Sequence, residues 1–135
     1  MTILSETKLE AKLRWQGAIA LQFHDVIEDT RLPLPSDLPI GVTNWVEQMT
    51  FSSFAEEKER IWSCAPHIRM LKLYDKTSNL LDSVWMNPDK RLAYVDFTEK
   101  LRKDVVQNYG ELNITVIALA KIDAIRAELR AGESS

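Results

Sequence analysis

The chain has 135 residues, 45% of them hydrophobic and 27% charged, a composition that supplies a core and excludes a disordered chain. Seventeen basic and twenty acidic residues give a net charge of −3, so the overall field attracts neither nucleic acid nor an anionic membrane, and neither is expected as a partner. One cysteine excludes an internal disulfide, the first residues lack a basic start followed by an apolar run, and no stretch reaches the roughly 20 apolar residues of a membrane helix; a cytoplasmic protein is expected.

The length predicts one domain over residues 1–135, with 131–135 as a frayed tail. Residues 5–29 read as a long helix: Ser5 is a candidate N-cap, Leu9, Leu13, Ala20, Phe23 and Ile27 recur at helical spacing, and no proline interrupts them. Trp15, Ile19 and Val26 form a second line about 100° round the same helix, making it apolar over more of its circumference than one buried face requires. The extra line fits either a helix sunk between two layers or one with a core face and a partner face.

Arg31 to Gly41 carries prolines at 33, 35 and 39, which forbid a helix and predict an extended connection; no Pro-x-x-Pro ligand motif occurs in it. Asn44-Trp-Val-Glu47 and Ser53-Phe-Ala-Glu56 both have capping-box spacing, and each predicts a short helix. Pro66 disfavours helical geometry at Ala65 and ends the second of them.

Residues 67–97 decide the fold class and admit two readings. As strands, Ile68–Tyr74, Leu80–Met86 and Arg91–Phe97 are separated by the turn-forming clusters 75–79 and 87–90, giving a three-stranded antiparallel meander and an α+β protein. As helices, Met70, Tyr74, Thr77, Leu81 and Val84 repeat at fours and threes, Asn87-Pro88 opens a helix over 88–109, and the chain is an all-α five-helix bundle. The two turn clusters and the strand formers Tyr94-Val95-Asp96-Phe97 favour the meander. Beyond it, Leu101, Val105, Val106 and Tyr109 line one side of a helix that stops at Gly110. Leu112–Leu119 is a buried strand or helix start, and 120–130 is helical with Ile122, Ile125 and Leu129 inside.

Few residues here can carry chemistry. His24, Cys64 and His67 are the only residues of their types, and no glycine-rich phosphate loop accompanies them. His24 and Glu28, four apart on a helix, and Cys64 and His67, three apart around Pro66, offer a zinc ligand set, but Cys-x-x-His alone is a weak signal and free cysteines are commonly buried for packing; no metal site is expected. Cys64 falls near a helix C-terminus, where the dipole opposes a thiolate nucleophile.

Four tryptophans are many for this length, and indoles concentrate in cores with wet edges and at interfaces. Trp15, Ile19, Val26 and Trp45 are the expected protein-interface residues. The expected function is a non-catalytic protein-binding or assembly-accessory module, acting on a protein partner or by self-association as a homo-oligomer, without a cofactor. The alternative is a small-molecule or metal-binding domain, possibly an enzyme, with a pocket near Trp62, Cys64 and His67.

Overall fold

A computed structural model describes residues 3–30 and 37–133, with the side chains of 26–30 and 133 outside the description. Its elements are a 3-10 turn at Ile3–Ser5, then α1 (Ala11–Thr30), α2 (Ile40–Met49), α3 (Phe54–Arg60), a 3-10 turn at Ile61–Ser63, α4 (Pro66–Leu81), a 3-10 turn at Ser83–Trp85, α5 (Pro88–Tyr109) and α6 (Asn113–Glu133). The chain divides into two compact units, Met1–Leu71 and Lys72–Ser135, with α4 contributing residues to both.

The α+β expectation is overturned: there is no strand among the described residues, and the 67–97 meander is replaced by α4, a 3-10 turn and the first half of α5. The all-helical alternative fits, with six helices among the described residues rather than five. The first supposed turn, Asp75-Lys-Thr-Ser-Asn79, lies inside α4. Residues 70–77 are buried on every side of that helix, polar ones included. Asp75 sits 3.3 Å from Lys72 Nζ and 3.8 Å from Lys76 Nζ, so the Asp75 and Lys76 of the supposed turn are, with Lys72, an ion-paired stretch of core helix. The second supposed turn is a helix start: Asn87 Oδ1 accepts from the Lys90 amide at 2.8 Å and Pro88 takes the first helical position.

In the first unit, α1 packs on α2, which buries Val42, Val46 and Met49 along one face. Gly17 is buried in α1, and a Cβ there would stand 2.9 Å from Ile3 Cδ1 and 3.0 Å from Leu71 Cδ2, so glycine permits that close approach. α1 begins at Ala11 rather than near Ser5. The Glu6 and Leu9 amides close short turns onto the Ile3 and Glu6 carbonyls, and Leu9 is buried outside the helix. α2 starts earlier than its predicted Asn44 cap, at Ile40 behind Pro39. Of the proline-rich connection, 31–36 lie outside the described residues, and Ile40-Gly41 is already helical. Ser53 caps α3 as expected, its hydroxyl accepting from the Glu56 amide at 3.1 Å.

In the second unit, α5 and α6 form an antiparallel pair around Leu80, Val95, Ile122 and Ile125, with Tyr94 and Leu129 packed against that cluster. Gly110 makes the reversal: at φ 77° it takes the left-handed region while its amide donates to Val106 C=O. Thr115 then accepts from the Leu112 amide at 2.9 Å and donates to the Leu112 carbonyl at 2.7 Å, closing the start of α6. Of the expected tail at 131–135, residues 131–133 belong to α6 and 134–135 lie outside the described residues.

Candidate functional site

The first unit holds most of the residues that the sequence singles out. Trp15 on α1 is 64% exposed, while Ile19 and Trp45 are half-buried; the Val26 side chain lies outside the described residues. The Trp45 ring leans on His67, with centroids 4.7 Å apart and planes tilted by 40°. His67 occupies the first turn of α4, its Nε2 is buried without a hydrogen-bond partner, and desolvation holds its pKa below the ordinary histidine value. A neutral imidazole is favoured there.

His24 is buried on α1 with Nδ1 3.8 Å from Asp25, and the Glu28 side chain is outside the described residues. Cys64 is half-buried and free; its thiol faces the Arg60 carbonyl at 3.8 Å, and Arg69 donates to its carbonyl oxygen. Among the described residues, neither Cys64 nor His67 belongs to a group of three potential metal ligands. Trp62 is 40% exposed in the 3-10 turn after α3.

A pocket lies instead in the second unit, where the first turns of α5 meet the last turns of α6. Its volume is about 590 Å³, and Pro88, Leu92 and Leu129 form its apolar wall. Asp89, Arg126, Glu128 and Arg130 add two charges of each sign. Much of this lining is held in place. Arg126 Nη2 bonds both Asp96, at 2.9 Å, and Glu99, an arrangement that raises the guanidinium pKa and holds the Glu99 carboxyl below its usual range. Glu128 lies 2.9 Å from Arg91 Nη2, and Arg91, itself buried, donates from Nε to Ser83 Oγ at 3.0 Å. Ser83 Oγ in turn donates to the Leu80 carbonyl at 2.7 Å.

These two hydrogen bonds, from Arg91 to Ser83 and from Ser83 to Leu80, with the Arg91–Glu128 ion pair, brace the turn between α4 and α5. Val84 and Trp85, on that turn, are 77% and 72% exposed, and Lys90 Nζ stands 5.4 Å from the centre of the Trp85 ring. This region is hidden in the sequence because Leu129 falls on the core stripe of its helix and Trp85 in a segment of strand length. A signal was present in Arg126 and Arg130, one turn apart on either side of Leu129.

No helix among the described residues is long and apolar enough to cross a membrane. No protein-family model, no curated protein and no solved structure matches the chain.

Proposed function

We propose that the chain is a small-molecule-binding protein whose site is the pocket between the start of α5 and the end of α6. The observation that carries this reading is a cavity of about 590 Å³, within the range of roughly 300–1,000 Å³ that small ligands occupy, with an apolar wall and polar groups fixed by ion pairs before any ligand arrives. With two acids and two arginines around Leu92 and Leu129, the chemistry suits an amphipathic molecule of no large net charge. The lone free cysteine supports a cytoplasmic setting, since the chain has no disulfide to lose in a reducing compartment.

A small-molecule library read by thermal shift tests the reading against Leu129→Trp, which fills the pocket from its own wall. Compounds that raise the melting temperature of the wild type should leave this variant unmoved. Equal stabilisation of both proteins refutes the pocket as the site.

A second reading, protein docking through the first unit, is favoured by the exposure of Trp15. Tryptophans at hot spots contribute about 2 kcal/mol or more to association. Under this reading Trp15→Ala abolishes capture of a protein partner while the library response of the pocket stays intact.

A further inference from the structure

The α5–α6 pocket has four charged residues on its lining, and three of them are already engaged. Arg126 bonds Asp96 and Glu99, Glu128 pairs with Arg91, and Arg130 has a partner of its own. The fourth, Asp89, has neither a hydrogen-bond nor an ion-pair partner for its carboxylate among the described residues. Its neighbour Lys90 forms no ion pair with it and stands instead by the Trp85 ring, Nζ 5.4 Å from the centre. The charges of the pocket are therefore not equivalent toward a ligand. An anion has to take a guanidinium from carboxylates that already hold it, and Arg126 faces two of them. Such an exchange leaves the former acceptors unpaired. A cation meets a carboxylate that gives up no partner within the chain.

The rest of the lining agrees with that sign and supplies a surface for an apolar body. Asp89 and Leu92 are three apart on α5 and so share a face, which sets the carboxylate beside the wall formed by Pro88, Leu92 and Leu129. Gly132, in the last turn of α6, brings backbone to the lining, and the final carbonyls of a helix have no partner within it. An ammonium has three donors and no acceptor, so it is suited by a carboxylate and by such carbonyls. We propose that the ligand of this pocket is a primary amine with an apolar body, its ammonium held by Asp89 and its body lying against Leu92 and Leu129. The proposal rests on the pocket reading above and names the class of ligand within it.

Tryptamine, tryptophol and indoleacetate carry the same ring and differ in head-group charge at neutral pH, so titrating each into the protein and following its amide chemical shifts tests the class. Tryptamine is expected to bind wild type about tenfold or more tightly than tryptophol, as hydrogen bonds to a charged group do, with indoleacetate the weakest of the three. Asp89→Asn keeps the size of the side chain in the first turn of α5 and removes its charge. It should bring tryptamine down to the affinity of tryptophol while leaving tryptophol unchanged, and Leu129→Trp should weaken both. Circular dichroism melts establish that the variants are folded; should Leu129→Trp not fold, Leu92→Trp serves as the pocket-filling variant. A wild type that binds tryptamine no more tightly than tryptophol overturns the proposal. So does a preference for tryptamine that survives Asp89→Asn, which would leave Asp89 as an acid that serves only the start of its own helix. Neither result touches the pocket reading itself, which the thermal-shift contrast between wild type and Leu129→Trp over the whole library decides independently.

Discussion

Two polar residues, half-buried His67 and buried Asp75, are expected to dominate the response of the protein to pH and mutation. His67 carries a buried Nε2, leans on Trp45 and sits in the first turn of α4, and desolvation opposes its protonation. Its folded pKa is depressed below 6.5, so its contribution to stability is complete above that pH and is lost as the pH falls through the lower folded value. His67→Phe keeps a ring against Trp45 and removes the proton. Chemical denaturation between pH 7 and 5 should show wild type losing stability and the variant losing less. Glu99, depressed chiefly by its bond to Arg126, gives a second loss in the same direction that begins only below about 4.5.

Asp75 is the other such residue. It is buried between Lys72 and Lys76, and Asp75→Ala removes the carboxylate that both ammonium groups face. A cost of about 3–5 kcal/mol is expected in urea unfolding, as for other buried pairs broken on one side. A cost under about 1 kcal/mol, in the range of exposed pairs, would show that these charges are solvated.

At the scale of elements, the capped helix starts are the sharpest test of why the chain is helical where it resembles sheet. Asn87→Ala removes the side-chain cap on the Lys90 amide at the start of α5, and should cost about 1 kcal/mol. Ser83→Ala acts on the neighbouring turn by a different route, leaving the buried Arg91 Nε without its acceptor, for about 1–3 kcal/mol. Thermal melts of the two variants measure both.

These same residues explain how far the sequence could be read. Ser53, Gly110 and the stripe of α6 were legible because each acts locally: a hydroxyl three residues before an amide, a glycine at a reversal, a 3.6-residue period. Residues 67–97 were not, because helix α4 is buried all round at 70–77 and therefore lacks a polar face, while its ion-paired Asp75 and Lys76 imitate a turn. The Asn87-Pro88 pair fits a type I turn and a helix start equally well until Lys90 is seen to bond back. The pocket depends on residues nearly forty positions apart, Leu92 and Leu129, which no local pattern relates.

For the molecule as a whole, the division at Leu71 and Lys72 sets out which substitutions report on which half. Gly17→Leu places several carbons where a single Cβ already meets Ile3 and Leu71, and should destabilise by about 1–3 kcal/mol, as overpacked cores do. Gly132→Ala, with no neighbour within 4 Å, should be neutral or slightly stabilising in the same denaturation experiment, since alanine favours the helix. Ligand responses assigned to the α5–α6 pocket should persist in Trp15→Ala and vanish in Leu129→Trp, which separates the two candidate surfaces.

The reversal at Gly110 bears on the order in which the chain acquires structure. α5 and α6 face each other across a connection of only Gly110 to Leu112, so their contacts close a short loop and lose little chain entropy in forming. Helical hairpins of this kind have low contact order and fold early and fast. The core amides of 95–105 and 114–125 are therefore expected to be the first protected in pulse-labelled hydrogen exchange during refolding. The pocket at the open end of the hairpin would then exist before the rest of the chain has settled.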